Sequence, residues 1–185
     1  MKLLVFGATG PTGQQVVAQA LRQGHELTVF VRNSAQLAVS DDRLRVVVGS
    51  VPDDADAIAA AVRGQDAVIS ALGVRSSLKS SSLISRSMQA IVPAMERNGV
   101  RRLIFTSAFG VGDTRRDAPL LPRIMYRLLL TDIFADKADG ERYLRSSSLD
   151  WTLVYPVLLS NGPRTGKYRV GEHLDLHGLP RVSRA

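Results

Sequence analysis

The sequence contains no cysteine and no long apolar run. Without cysteine, its 185 residues cannot form a disulfide scaffold, a thiolate metal site or a cysteine nucleophile. No apolar stretch reaches the roughly 18 residues that a membrane span needs, and the opening run Met1–Phe6 is too short for a secretory signal. Aromatic residues make up only 5% of the chain, and none interleaves with basic pairs as a nucleic-acid stacking platform requires. We therefore expect a cytoplasmic protein that binds neither membrane nor nucleic acid.

The size and charge of the chain fit one folded domain with an anionic partner. Hydrophobic residues make up 45% of the chain, and the formal net charge is +7. A chain of this length can bury a sizeable core, which predicts a single domain over residues 1–185, with 160–185 as a small appendage beside the substrate. The positive charge suits a phosphate-bearing cofactor or an anionic substrate, although it can also serve solubility alone.

Short β-branched runs alternate with segments of helical spacing. The predicted strands are Lys2–Phe6, Leu27–Val31, Arg45–Val48, Ala67–Ala71, Leu103–Thr106 and Trp151–Tyr155. They do not alternate apolar with polar residues, as is typical of strands covered on both faces. Helices are predicted up to Gly24, from a cap at Asp53 or Asp54 to Arg63, over Ile84–Met95, and within Pro122–Ser146. This order predicts an α/β fold: a Rossmann-like, doubly wound parallel sheet with helices on both faces.

The segment beyond Ser160 is less regular. Tyr168–Val170 and Leu174–Leu176 have the composition of short strands. His173 and His177 stand four residues apart, but no third ligand is evident, so we predict no metal site.

The glycine-rich segment Gly7–Gly13 follows the first predicted strand and opens the first predicted helix. Its first glycine permits a tight turn, Gly10 lets the backbone approach a pyrophosphate, and its last glycine lets the helix pack closely on the strand. The start of the helix then offers free N–H groups and the positive end of the helix dipole. A purely structural glycine-rich turn is the alternative. We predict a dinucleotide site that uses Gly7, Thr9, Gly10, Pro11, Thr12 and Gly13.

The ends of the next strands indicate which dinucleotide binds. NAD sites usually place Asp or Glu after the second strand, but this chain has Arg32 there. A cation suits a 2′-phosphate, which predicts NADP(H) in preference to NAD(H), unless this arginine is merely a solvated surface residue. Residues after the third and fourth strands are predicted to contact the cofactor through backbone or apolar atoms. The arginine just beyond the fourth strand either binds a phosphate or faces water. These candidates are Ser50, Val51, Leu72, Gly73 and Arg75.

These motifs make the chain similar to the atypical short-chain dehydrogenase/reductase superfamily. Within it, the chain most resembles the NAD(P)H-binding, NmrA-like branch that includes flavin reductase (biliverdin-IXβ reductase). The likeness covers essentially the whole chain and includes Gly7–Gly13, Val29–Arg32, Val46–Gly49, Asp66–Ile69, Thr106–Phe109, Leu144–Ser146 and Pro163–Tyr168. The chain departs from the family at Gly49-Ser50, where relatives often have Gly-Asp. It also stops at Ala185, before the C-terminal helix that is usual in the family.

The resemblance implies a particular kind of hydride transfer. Ordinary superfamily members pair a serine after the fifth strand with a Tyr-x-x-x-Lys helix, whose tyrosine donates a proton. Ser107 occupies the serine position, but Ile133 stands four residues before Lys137, and neither Tyr126 nor Tyr143 has a lysine four residues later. The proton donor for alcohol–ketone chemistry is therefore missing. A planar conjugated acceptor, such as a flavin, a quinone or a linear tetrapyrrole, avoids a localised alkoxide.

The same resemblance suggests roles around the nicotinamide. It implies that Ser107 orients the acceptor or the nicotinamide amide, and that Lys137 holds the ribose beside Thr106. The alternatives are a serine hydroxyl bonded to backbone and a lysine exposed on its helix. Pro156, Val157 and Leu158 form either an apolar floor beside the nicotinamide or ordinary core packing.

Two functions follow from these predictions. The first is an NADPH-dependent reductase of a small conjugated acceptor. The second is an NADP(H)-binding redox sensor of the NmrA type that does not turn the cofactor over. We expect a monomer or a weak homo-oligomer in either case.

Overall fold

Six parallel strands form the central sheet of the computed structural model, which describes residues 1–73, 82–115, 131–176 and 178–185. The strands are β1 (Lys2–Phe6), β2 (Glu26–Val31), β3 (Leu44–Val48), β4 (Ala67–Ser70), β5 (Arg102–Thr106) and β6 (Asp150–Val154). Their order across the sheet is β3-β2-β1-β4-β5-β6. The order reverses between β1 and β4, where a doubly wound sheet opens a crevice at the carboxyl ends of its strands. The predicted Rossmann-like sheet is confirmed.

Helices cover both faces of this sheet. They are α1 (Pro11–Arg22), α2 (Ala55–Val62), α3 (Leu83–Arg97) and α4 (Thr131–Arg145). Successive residues of β1 point to opposite faces, so that Leu3 and Val5 pack with α1, whereas Leu4 and Phe6 pack with the other three helices. The part of the predicted last helix that precedes Thr131 lies outside the described residues. None of the described helices is long and apolar enough to cross a membrane.

The outer strands are less covered than their sequences predicted. Val46 and Val48 of β3 are 39% and 60% exposed, and Val154 of β6 is 40% exposed. The prediction of cover on both faces is therefore wrong for the two edges of the sheet. A β-branched run reflects strand propensity as well as burial, so it does not distinguish an edge strand from a central one.

A separate pair of short strands lies after β6. Here β7 (Leu158–Ser160) runs parallel to β8 (Arg181–Ser183), and we call this pair the C-terminal ribbon. The predicted strands at Tyr168–Val170 and Leu174–Leu176 are wrong, because neither segment pairs with another strand in the described part of the chain. Apolar residues in an extended loop have the same composition as a short strand, and only pairing separates the two. His177, one of the two histidines considered above, lies outside the described residues.

Candidate functional site

The glycine-rich turn Gly7–Gly13 lies where the sheet order reverses. Gly7 has a φ of +80°, and a Cβ there would lie 2.6 Å from the carbonyl oxygen of Ala71, just after β4. A Cβ at Gly13 would overlap the carbonyl oxygen of Gly7. Both glycines are therefore required by the close approach of α1, β1 and the segment after β4, in agreement with the structural roles inferred from the sequence.

Gly10 in this turn and Gly73 after β4 border open space within the described part of the chain. Among the described residues, a Cβ at Gly10 would meet only the Gly7 oxygen, at 3.3 Å, and one at Gly73 would meet nothing within 4 Å. No side chain caps α1, and among the described residues the N–H groups of Thr12 and Gly13 have no hydrogen-bond partner. Free amides at the positive end of a helix suit an anion. The residues present therefore fit the pyrophosphate of a dinucleotide.

The segment after β2 carries an uncommitted positive charge. Arg32 is exposed, and within the described ranges its side chain makes no hydrogen bond or ion pair. The next residue, Asn33, accepts a hydrogen bond of 3.0 Å from the Ala35 N–H and begins a short 3-10 turn over Ser34–Gln36. The side chain that follows β2 is therefore a cation available to a ligand.

The segment after β3 differs from the sequence-based expectation. The Ser50 N–H donates to the Asp54 carboxylate at 2.5 Å, and Asp53 forms an ion pair with Arg86 at 2.8 Å. Asp54 occupies the N-cap position of α2, as predicted, but its carboxylate makes no cap hydrogen bond to the helix and is engaged by Ser50 instead. Val51 is only 8% exposed and belongs to the buried core.

Two of the predicted site residues after β4 are described by the structure. Leu72 is partly buried against the core, and Gly73 is exposed. Arg75, proposed from the sequence as a phosphate ligand, lies outside the described residues.

The side chains of Ser107 and Lys137 both lie at the end of β5. Lys137 projects from α4 and is 8% exposed; its Nζ donates to the Thr106 carbonyl at 3.2 Å and lies 5.6 Å from the centre of the Phe105 ring. Ser107 is 4% exposed and donates its hydroxyl proton to the carboxylate of Glu141, also on α4. The lysine is therefore not an exposed surface residue, and the serine hydroxyl donates to a carboxylate rather than to backbone.

Glu141 and Tyr155 complete a buried network that the sequence did not reveal. Glu141 is 2% exposed and accepts a second hydrogen bond, of 2.9 Å, from the Tyr155 hydroxyl just after β6. Arg145 donates to the Tyr155 oxygen at 3.3 Å and pairs with Asp113 at 2.6 Å. The four-residue spacing of Lys137 and Glu141, which places both on one face of a helix, is the signal that points to the glutamate. We call Ser107, Glu141 and Tyr155 the Ser–Glu–Tyr network.

Asp136 fixes α4 in the position that this network needs. Its carboxylate accepts hydrogen bonds from the N–H groups of Ile84 and Ser85, at 3.0 and 2.9 Å, and from the Ser85 hydroxyl at 2.7 Å. The carboxylate thus caps the start of α3 from a neighbouring helix, and this contact aligns the helix that carries Lys137 and Glu141.

Burial favours the neutral forms of Lys137 and Tyr155 and therefore shifts their pKa values in opposite directions. The pKa of Lys137 is lowered to about 8, because burial disfavours its charged form more than the charges of Glu141 and Asp136 support it. The pKa of Tyr155 is raised to about 12, chiefly by burial, although the hydrogen bond from Arg145 opposes the shift. Near neutral pH the lysine is close to its titration range, whereas the tyrosine keeps its proton.

The segment after β6 lies beside the end of β5. The Phe109 N–H donates to the Pro156 carbonyl at 3.0 Å. Pro156 and Val157 are half-buried, Leu158 is 45% exposed, and none of the three belongs to the buried core clusters. These apolar side chains therefore remain candidates for the floor of a ligand site.

Comparison with known proteins points to one cofactor class. Residues 7–185 match a family model described as NAD(P)H-binding. An uncharacterized chloroplastic protein of Arabidopsis thaliana is 30% identical over 173 residues, which cover 89% of this chain and 61% of that protein. The photosystem II assembly factor Ycf39 of Synechocystis is 28% identical over 159 residues, which cover 83% of this chain and 44% of the relative. The chain thus spans between two fifths and two thirds of these relatives.

Two solved structures share the fold. ChuY, an anaerobilin reductase from Escherichia coli O157:H7, matches with a TM-score of 0.79 and 22% identity over 98% of this chain and 84% of its own. A short-chain dehydrogenase/reductase from Veillonella parvula in complex with NADP matches with a TM-score of 0.82 and 22% identity over 99% and 81% of the two chains. At this identity the likeness establishes the architecture.

Proposed function

Because the chain belongs to the NAD(P)H-binding family, we propose that it is an oxidoreductase that uses NADPH to reduce a planar conjugated acceptor, such as a flavin or a quinone. The observation that carries the proposal is the position of Ser107 and Lys137. Both side chains are buried at the end of β5, along the same edge of the sheet as the start of α1. We call Gly10 and the free N–H groups of Thr12 and Gly13 the phosphate cradle. A dinucleotide held by that cradle would extend along this edge.

The cofactor preference rests on Arg32. Its exposed guanidinium follows β2, where NAD-specific sites usually carry a carboxylate that holds the ribose. No carboxylate stands among the four residues that follow it, so a 2′-phosphate would meet a cation without nearby repulsion. The Veillonella neighbour, which binds NADP, is consistent with this preference.

At the other end of the site, the hydrogen bonds of Ser107 set which of its atoms is available. Its proton is donated to Glu141, so its oxygen has lone pairs that can accept a hydrogen bond from the N–H of a ligand. Lys137 holds its ammonium beside the Thr106 carbonyl, where it can donate to a ribose hydroxyl. A reduced nicotinamide, when bound, supplies the hydride.

The state of Tyr155 supports a conjugated acceptor. Its hydroxyl donates to Glu141, and its pKa is raised to about 12, so it is a weaker acid than ordinary tyrosine. Dehydrogenases that reduce isolated ketones need a tyrosine of lowered pKa to quench a developing alkoxide. A conjugated acceptor spreads the added charge and can take its proton from water, so it does not need such an acid.

The activity test measures the loss of NADPH absorbance on adding a flavin or a quinone. We expect turnover above the uncatalysed rate, and a fall of about tenfold or more in kcat for Ser107→Ala, because the hydroxyl orients a reacting group. Ser148→Ala is the matched control, since this exposed serine bonds Glu96 rather than any residue of the site. Turnover at the background rate with every acceptor would contradict the enzyme proposal.

The cofactor test compares NADPH and NADH by titration calorimetry. We expect Arg32→Ala to lose most of the NADPH preference, roughly tenfold to a hundredfold in Kd, as for a charge-assisted phosphate contact. NADH binding should be unchanged in this variant. Arg45→Ala, which removes an exposed arginine from β3, serves as control. Equal affinity of the wild type for both nucleotides would overturn the NADP assignment.

A second function is favoured by the closure of the Ser–Glu–Tyr network. The two hydroxyls and the carboxylate already satisfy one another within the described fold, as expected of a rigid binding site that performs no proton transfer. One relative is named as an assembly factor rather than an enzyme. A redox sensor should bind both NADPH and NADP⁺ tightly and should not oxidise NADPH when an acceptor is added. The absorbance measurement therefore distinguishes a sensor from a reductase.

A further inference from the structure

Arg184 lies beside the glycine-rich turn although it is far from it in the sequence. The C-terminal ribbon holds its backbone, because β7 pairs with β8 and the Arg184 N–H continues this pairing with a 3.1 Å hydrogen bond to the Ser160 carbonyl. The Ser183 hydroxyl, one residue earlier, donates to the Gly162 carbonyl at 2.5 Å. These two hydrogen bonds hold the backbone around Arg184 in place.

The side chain of Arg184 is fixed as well. Its Nη1 donates to the Asn161 side-chain oxygen at 2.6 Å, and its Nε donates to the Thr12 hydroxyl oxygen at 3.3 Å. The side chain is half-buried. Because Thr12 is in the first turn of α1, the guanidinium lies at the edge of the phosphate cradle and still has N–H groups to donate.

The charge around this arginine is unbalanced. Among the described residues no carboxylate lies within ion-pair distance of Arg184, and the first turn of α1 contains no acidic residue. A cation beside the start of a helix faces the positive end of the helix dipole, which is unfavourable. An anion bound between the guanidinium and the free amides converts this repulsion into attraction on both sides.

We propose that Arg184 is a pyrophosphate ligand of the dinucleotide site, positioned by Thr12 and Asn161. This inference rests on the proposed function, since it assumes that a dinucleotide occupies the cradle. It assigns a different task to each arginine. Arg32 selects the 2′-phosphate that only NADP(H) carries, whereas Arg184 binds the group that NADPH and NADH share.

The test measures the Kd of NADPH and NADH for the full chain by calorimetry. Arg184→Gln keeps a hydrogen-bond donor but removes the charge. We expect it to raise the Kd of both nucleotides by the same factor, about tenfold or more. Arg184→Lys should retain most of the affinity, because it restores the charge. Arg181→Gln is the matched control: it removes an exposed arginine from β8, the strand that precedes Arg184, and should leave both Kd values unchanged.

The outcomes are distinct. A loss confined to NADPH would place Arg184 at the 2′-phosphate and overturn the pyrophosphate assignment. Unchanged affinity of Arg184→Gln, in a wild type that binds both nucleotides, would overturn this inference and leave the proposed function standing. A wild type that binds neither nucleotide would overturn both. The thermal unfolding of each variant without nucleotide must match the wild type. If the glutamine variant fails to fold, Arg184→Ala makes the same test: an equal loss of affinity for both nucleotides supports the assignment, and unchanged affinity overturns it.

Discussion

Lys137 is a cation held in a place that disfavours its charge. Its ammonium is removed from water between Phe105 and the Thr106 carbonyl, and the opposing charges of Glu141 and Asp136 do not fully compensate for burial. A residue that destabilises its own fold is expected where it serves binding or catalysis. The physical consequence is a stability that depends on pH.

The sign of this dependence follows from the lowered pKa. Between about pH 8 and the ordinary lysine value of 10.5, the unfolded chain holds a proton that the folded chain has released, so the free energy of unfolding rises with pH. The full change is on the order of 3 kcal/mol. Above pH 10 the raised pKa of Tyr155 acts in the opposite direction. Measurements are therefore best made below that pH.

We expect Lys137→Met to raise the free energy of unfolding at pH 7 by about 1–2 kcal/mol, after the loss of the hydrogen bond to Thr106. The difference between variant and wild type should shrink as the pH is raised above 8. Denaturant unfolding at several pH values measures both effects. A difference that stays constant with pH would mean that the amine is not strained by burial.

The residues of the site could be predicted from the sequence only in part. Ser107 and Lys137 were found because each occupies a position that the family resemblance marks, and the structure brings them together at the end of β5. Glu141 and Tyr155 were missed because their contact depends on how α4 lies against β6. That placement is fixed by Asp136, whose partners stand on α3, and no local sequence pattern contains it.

At the level of elements, the contact between β1 and α1 is the most constrained part of the site. A single turn must reverse the chain, let the helix touch the strand and leave its first amides open. Gly13 serves the contact between helix and strand, whereas Gly10 borders the open space. The two glycines should therefore respond differently to the same small change.

We expect Gly13→Ala to destabilise the fold by about 2 kcal/mol or more, because its methyl group would overlap the Gly7 carbonyl. Gly10→Ala should stay within about 1 kcal/mol of the wild type. Its methyl group should nevertheless occupy the phosphate cradle and raise the Kd of NADPH by roughly tenfold. Thermal unfolding and calorimetry on the same samples measure the two effects. If Gly10→Ala binds like the wild type, the cradle is not the phosphate site.

The strands and helices of the sheet could largely be predicted, since apolar runs of strand length alternate with amphipathic segments. The exposure of the two edge strands could not be predicted, because the apolar runs of β3 and β6 resemble those of the buried strands although Val48 and Val154 are exposed. The opposite error was made at Tyr168–Val170, which has strand composition but no partner strand in the described chain. In both cases the missing information was pairing and cover rather than local preference.

In the molecule as a whole, the sheet order brings the carboxyl ends of all six strands to one edge. The parallel direction of the strands causes this gathering, so strand–helix alternation was enough to put the predicted ligand site at this edge. The C-terminal ribbon was beyond such reasoning, because three-residue strands separated by a long loop carry too little pattern. It nevertheless delivers Arg184 to the turn that follows the first strand.

The ribbon's small size gives it a further consequence. Two short strands are only marginally stable by themselves, and the Thr12–Arg184 contact ties them to the start of α1. A dinucleotide bridging that contact should suppress local opening, so amide hydrogen exchange at Leu159 and Arg184 should slow when NADPH is added, while Val46 on the far edge exchanges as before. Exchange that is unchanged under saturating nucleotide would show the ribbon to be uncoupled from the cradle. If exchange does slow, the exchange rates of the C-terminal ribbon report whether the cofactor site is occupied.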